Sequence, residues 1–388
     1  MLDPCWEPRW IREEREPRFN TAPSDDLPAY DCLRLPHNET ERDAIHRDFK
    51  LCFAASGDIR NLVQTINGLP AGYRGKKGLR SKRTTITDTR HVDDVDRAFA
   101  SLQPAHRLAL AHFRRKGVLA PFSLSTRGFS EPNRLMYTAG GDWLGHAGVN
   151  PLKGWNVSDV LATGAKYAVD SADIIGCLFF HVKEELMEFT RRIKEFYIDL
   201  HVTQFSPPLL SKGISIGVFP AFAEGCFDRV DTADITDREG IPELLADWGP
   251  MQWHRNRPNT TAQSNPCSAV MLIERCKKLP SLRIKLASVL THGTKSPALM
   301  RLLESLDAFI DHEKAFREYL CAEQVDMIAK DLGLRVRQYN HVNSKRFGVS
   351  IDAPQQRLPS LSRSEFYNLF MIGGGDLLTR FVEFEATH

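Results

Sequence analysis

Phe53-Ala-Ala-Ser-Gly-Asp-Ile-Arg-Asn-Leu-Val-Gln-Thr-Ile-Asn-Gly-Leu-Pro70 is the stretch that decides how this chain folds. The apolar run 51–55 that leads into it reads as a buried strand. A turn follows at Ser56-Gly57-Asp58, and Ile59, Leu62, Val63 and Ile66 then recur at the 3-and-4 spacing of a helix. Strand, glycine turn and helix in that order make the first unit of a doubly wound sheet. The turn presents backbone N–H groups at a helix N-terminus, where ligands collect. Ser56, Gly57, Arg60 and Asn61 are therefore candidate substrate contacts and Asp58 a candidate catalytic carboxylate. A purely structural role is compatible with this, because Gly57 permits the turn and Asp58 suits a helix cap. Arg60 in the first helical turn opposes the macrodipole, which points to an acidic partner, within the fold or on a ligand.

Further strands are expected at Thr84–Thr87, ending at Asp88, and at Tyr197–Val202, Cys226–Asp231 and Ser268–Ile273. The interval 91–196 reads as mostly helical, its clearest helix over 173–196 with Val182, Leu186, Phe189, Ile193 and Phe196 on one face. Residues 296–334 are helical in pattern, followed by a strand signal at Phe347–Ile351 and an apolar segment around Phe370. The expected architecture is α/β: a Rossmann-like, methyltransferase-like sheet with a large helical insertion and a helical C-terminal region. Its expected parts are an N-terminal arm at 1–47, a core built from 48–90 and 197–290, the insertion at 91–196, and the C-terminal region at 291–388.

The bulk composition is that of a soluble globular chain, with 42% hydrophobic and 26% charged residues over 388 positions. No apolar run approaches the roughly 20 residues that span a bilayer. The first ten residues mix acids and prolines, unlike a signal peptide. Eight cysteines at 5, 32, 52, 177, 226, 267, 276 and 321, with no Cys-x-x-Cys, suit reduced thiols. A cytoplasmic setting without membrane contact is expected. A net charge of +2 leaves any nucleic-acid contact to a local patch.

One such patch is Tyr73–Arg83, where Arg74, Lys76, Lys77, Arg80, Lys82 and Arg83 occur without an acid. As a glycine-interrupted basic loop it suits an RNA backbone, although a solvated surface loop has the same composition. Asp228, Asp231, Asp234 and Asp237 recur every third residue. Asp228 and Asp231, at a strand end, are the candidates to grip a guanidinium or polarise an amine, whereas Asp234 and Asp237 suit helix capping. A single glycine in the 56–58 turn does not make a dinucleotide fingerprint. A S-adenosylmethionine site tolerates that variation, with Asp88 placed to hold ribose hydroxyls. The histidines at 106, 112, 146, 181 and 201 lack metal-ligand spacing.

Four motifs taken together resemble a known family: Trp10–Phe19, Phe53–Asn61 with Leu69-Pro70, Phe180-His-Val-Lys-Glu184, and Cys226-Phe-Asp-Arg-Val230 followed by Asp237. They are similar to a fungal family built on a domain of formerly unknown function, found also in MYND-finger proteins and, distantly, in a dynein axonemal assembly factor. The short stand-alone members resemble the arginine-containing cyclodipeptide synthases. That resemblance implies formation of cyclo(Arg-Xaa) from arginyl-tRNA and a second aminoacyl-tRNA in a secondary-metabolite pathway, with no cofactor, metal or DNA. On this reading Arg74, Lys76, Lys77, Arg80, Lys82 and Arg83 track tRNA phosphate, and the 56–60 turn faces the ester or terminal adenosine. The chain departs from the family pattern in carrying Thr87-Asp88 where an Asn-Asp pair is usual, and Asp93-Asp94-Val95-Asp96-Arg97 where an acidic box is expected. The alternative expectations are a S-adenosylmethionine-dependent methyltransferase and a non-catalytic interaction or assembly module.

Overall fold

A computed structural model of the chain describes residues 29–38, 45–54, 59–74, 77–81, 99, 102–125, 150–202, 205, 207–219, 221–232, 240–251, 259–264, 313–354, 358–375 and 379–387. Within these residues the strands β1 (Phe49–Phe53), β2 (Lys77–Ser81), β3 (Ile198–Val202), β4 (Arg229–Asp231), β5 (Asn259–Ser264), β6 (Leu334–Val336) and β7 (Arg380–Ala386) form one sheet in the order β3-β2-β1-β4-β5-β7-β6. Strands β3, β2, β1, β4 and β5 run parallel. Only β7 is reversed, pairing antiparallel with both β5 and β6. With helices between the parallel strands, the fold class is α/β.

The chain enters at β1 in the middle of the sheet, moves out to β2 and β3, and returns to β4 on the other side of β1. The two directions of winding diverge between β1 and β4, so their carboxyl ends border the crevice where open α/β sheets bind ligands. Strand β1 is apolar except for the exposed Lys50, because both of its faces are covered over Leu51–Phe53. Phe49, Leu51 and Phe53 join Leu33, Leu35, Leu62, Ile66 and Phe196 on one side. Cys52 and Ala54 face Leu210, Ile214, Leu244, Leu245 and Trp248 on the other.

Helix α1 (Arg60–Asn67) buries Leu62 and Ile66 against the first of these faces, and Val63 is buried beside them. Between β2 and β3 lie α2 (Pro104–Lys116), α3 (Val157–Lys166) and α4 (Ile174–Glu195). They share a separate core of Leu110, Phe113, Val160, Ile175 and Leu178. Asp173 caps α4, accepting from the Gly176 N–H at 2.9 Å. The opposite sheet face carries α5 (Pro207–Ser215), α6 (Ile241–Trp248), α7 (Glu313–Ala322) and α8 (Val325–Asp331).

Several expectations are corrected. The basic stretch expected as a loop supplies β2, an interior strand paired to β1 on one side and β3 on the other. Lys77-Gly-Leu-Arg-Ser81 has one apolar residue and hence no strand periodicity, so neighbouring strands, not propensity, set its conformation. The strands expected at 84–87 and 268–273 lie outside the described residues, among which β5 carried no strand expectation. Phe347–Ile351 forms turns, with only Arg346 bridging Arg380. Phe370 belongs to a π-helix, Tyr367–Ile372, while β6 and β7 carried no strand expectation.

Candidate functional site at the carboxyl ends of β1 and β4

The last residue of β4 is Asp231, registered beside Phe53 at the end of β1. The shared register turns its side chain to the α1 side of the sheet. It is 8% exposed. The Tyr30 hydroxyl donates to its Oδ1 at 2.9 Å, and the Asn61 amide Nδ2 donates to its Oδ2 at 3.2 Å. The Cys32 thiol donates to the same Oδ2, with Sγ at 3.7 Å. Asn61 closes the arrangement by accepting the Tyr30 N–H at 3.3 Å. Two motifs 170 residues apart, Arg60-Asn61 at the start of α1 and Phe227–Asp231, thus meet through one hydrogen bond.

Residues 30–33 lie as a strap across this face. Arg229, two residues before Asp231 and on the same face of β4, is buried, and its Nη1 donates to the carbonyls of Cys32, at 2.7 Å, and Leu33. The Cys32 N–H donates to Thr65 Oγ1 of α1 at 3.0 Å. Beneath the strap a cavity of about 10 Å³ is lined by Tyr30, Cys32, Phe53, Arg229, Asp231 and Val342. Such a space has room for about one water molecule. Burial, reinforced by the Asp231 charge, pushes the Cys32 thiol well above its ordinary value. Cys32 is therefore a protonated donor and not a thiolate nucleophile at neutral pH.

The loop carrying Val342 is held by Glu383 of β7, which is fully buried. Its carboxylate accepts the N–H groups of His341 and Val342 at 2.8 Å and of Asn343 at 3.2 Å. Burial raises the Glu383 pKa, opposed by those three N–H groups and by Arg337. Arg34, just after the strap, donates to the Val342 carbonyl at 3.4 Å.

Arg60 turns to the other side of the crevice. Its Nη1 donates to the Lys153 carbonyl at 2.9 Å, and its guanidinium lies 5.8 Å from the Trp155 ring centroid. Gly154, at φ +81°, leaves the space for it, since a Cβ there would stand 1.4 Å from Arg60 Nη1. Trp155 meets His181 edge-on, and His181 Nδ1 is 3.0 Å from Thr163 Oγ1.

Of the residues expected at the site, Asn61 and Asp231 are in contact and Arg60 is adjacent in the chain. Asp228 lies at the opposite end of β4. There it binds Arg47 Nη2 at 2.8 Å and accepts the Lys50 N–H at 2.8 Å, tying the start of β1 to the segment before β4. Asp228 and Asp231 are therefore not brought together. Arg74 is exposed just before β2, and Lys77 and Arg80 are within it. Ser56, Gly57, Asp58, Lys76, Lys82, Arg83 and Asp88 lie outside the described residues. Tyr30, Cys32, Arg229 and Glu383 were not anticipated. Only Arg229 carried a signal, as the one basic residue of the motif-bearing stretch 226–231. Among the described residues no group of three or more His, Cys, Asp or Glu could hold a metal ion. None of cysteines 32, 52, 177, 226 and 321 is in a disulfide.

Residues 25–81 match a family described as Domain of unknown function (DUF4470). The matched stretch holds the strap, β1, α1 and β2. No curated protein and no solved structure matches the chain. Among the described residues no helix is long and apolar enough to cross a membrane.

Proposed function

We propose that the sheet is of the Rossmann-like, methyltransferase-like kind and that the protein is an enzyme binding an adenosine-linked amino acid at the carboxyl ends of β1 and β4. The observation that carries the location is the Asn61–Asp231 hydrogen bond, which joins the helix after β1 to the end of β4 at the point where the winding reverses. The strand order, with β7 alone reversed, supports the fold assignment.

The proposed reaction is formation of an arginine-containing cyclodipeptide from arginyl-tRNA and a second aminoacyl-tRNA. Support for the chemistry comes from the family resemblance of the 53–61 and 226–230 motifs. An aminoacyl ester is already activated, so the protein has to hold an α-amine against the ester carbonyl. Such positioning is worth up to ~7–11 kcal/mol of barrier. Asp231 is suited to accept hydrogen bonds from an amine or guanidinium, because its present partners there are all donors. Purified protein given charged tRNAs is expected to yield an arginine diketopiperazine that disappears when the tRNAs are digested first. No product from any mixture of charged tRNAs refutes the reaction.

The strand order favours a second reading, a S-adenosylmethionine-dependent methyltransferase. Calorimetric titration separates the two, since saturable binding of S-adenosylmethionine belongs to the second reading alone.

A further inference from the structure

Strand β3 closes one side of the sheet, and among the described residues no strand pairs with its outer edge. All five of its residues are registered with β2 on the inner edge. Unlike β1 and β4, it exposes apolar side chains, with Leu200 48% and Val202 70% exposed and Tyr197 just before them 64% exposed. Exposed strand edges with apolar residues are templates for another strand, and proteins that do not use them blunt them with charged side chains, lysine above all, with proline or with a bulge. Ile198-Asp-Leu-His-Val202 has no lysine or proline, its single acid Asp199 stands beside His201, and its unbroken register with β2 leaves no room for a bulge.

The sequence of β3 is complementary to itself. In an antiparallel pairing about a two-fold axis at Leu200, Ile198 stands opposite Val202 of the second copy and Leu200 opposite Leu200. Asp199 stands opposite His201. Cross-strand partners share a face, so the three apolar pairs fall on one side of the extended sheet and the two Asp–His pairs on the other. A register shifted by one residue sets Ile198 against His201 and Asp199 against Leu200, mixing the faces. Asp199 and His201 already stand on one face within a single chain, with Asp199 Oδ2 3.3 Å from His201 Nε2.

We infer that β3 is a self-association edge: two copies of this chain join antiparallel through β3, in the register centred on Leu200, to make one sheet continuous across the dimer. The occupant is a second copy, because every residue of the strand meets a compatible partner in that register and the interface is isologous.

Sedimentation velocity over a concentration series is expected to show a reversible species of twice the chain mass. Leu200→Lys sets two like charges opposite each other on the axis and is expected to leave a monomer with an unchanged far-ultraviolet circular dichroism spectrum. His201→Asp is expected to weaken the dimer by about tenfold, from the loss of two favourable cross-strand pairs and their replacement by repulsive ones. Adding Asp199→Lys to it restores complementary charge and the dimer. Leu200→Cys, oxidised, is expected to give a 200–200 disulfide mapped by mass spectrometry, while Val218→Cys, at a comparably exposed site (58%), serves as the collision control. A chain that stays monomeric throughout and gives no such disulfide overturns the inference, as does a dimer unaffected by both Leu200→Lys and His201→Asp. If Leu200→Lys fails to fold, the Leu200→Cys disulfide against its control decides.

Discussion

Removing the Asp231 carboxylate tests whether the strap, α1 and β4 form one coupled unit. Asp231→Ala deletes the acceptor of three donors, Tyr30 Oη at 2.9 Å, Asn61 Nδ2 at 3.2 Å and Cys32 Sγ at 3.7 Å, at a site 8% exposed. Each buried donor left without its acceptor costs roughly 1–3 kcal/mol, offset in part because the buried charge goes with the carboxylate. Asn61→Ala removes one of those bonds and the acceptor of the Tyr30 N–H, a loss of roughly 1.5–3 kcal/mol. If the Asn61–Asp231 bond contributes as charged hydrogen bonds do, the double variant is less destabilised than the sum by roughly 1.5–3 kcal/mol. Asp231→Asn is a graded control. Its amide can donate to the Tyr30 hydroxyl, which turns to accept, while its oxygen keeps Asn61 and Cys32, so it costs less than the alanine. Urea unfolding followed by tryptophan fluorescence, with Trp248 wholly buried in the core as a reporter, supplies the free energies. Additivity within about 0.5 kcal/mol, as for sites that do not touch, refutes the coupling.

Glu383→Ala strips three backbone N–H groups of their acceptor in a fully buried position and is expected to cost roughly 3–5 kcal/mol by the same unfolding measurement. Gly154→Ala meets Arg60 Nη1 at 1.4 Å and takes φ +81°, so it displaces the guanidinium from the Lys153 carbonyl and should cost about 0.5–1.5 kcal/mol more than Gly217→Ala. Gly217, at φ +74° with no atom within 4 Å, pays only the backbone strain of about 1–2 kcal/mol; equal losses at the two sites refute the clash. His106 donates from Nε2 to the Ser171 carbonyl at 3.0 Å and accepts the Tyr367 hydroxyl at Nδ1 at 2.8 Å, and burial lowers its pKa below 6.5. A lowered folded-state value means its contribution is full above pH 6.5 and is lost as pH falls through that value, so His106→Gln should flatten the acid side of the stability profile; superimposable profiles contradict it. Residues 25–81 expressed alone should give no cooperative thermal transition, and a sharp one would show that the matched stretch folds without β4.

Local periodicity made the elements with a covered apolar face legible. Helix α4 runs over 174–195 against an expected 173–196, and β1 and α1 lie where Leu51, Phe53, Leu62 and Ile66 indicated. Strand β2 was hidden because an interior parallel strand can be held by its backbone ladder alone, and Lys77–Ser81 supplies almost no apolar pattern to read. Strand β7 mixes Arg380, Glu383 and Glu385 with its apolar residues, which disguises a strand whose Glu383 is buried to hold the loop 341–343. The candidate site was legible in its parts but not in its assembly. Asn61 and Asp231 could each be chosen by residue type at a strand or helix end. Their contact depends on β4 inserting beside β1, a long-range pairing that no local window contains. The same holds for Asp228, whose place one turn of spacing from Asp231 suggested a shared role, although a three-residue strand sends the two to opposite ends of the sheet.

The match at 25–81 ends inside the site and does not enclose it. Its strap, β1, α1 and β2 leave one edge of β1 unpaired until β4 arrives from residue 229. Two neighbouring same-face residues of β4 then do opposite work on the strap. Arg229 donates to the carbonyls of Cys32 and Leu33, and Asp231 accepts from the Tyr30 hydroxyl and the Cys32 thiol. Both charges are buried, so withdrawing the strap takes hydrogen-bond partners from the cation and the anion at once, while Asp231 keeps the Asn61 amide of α1.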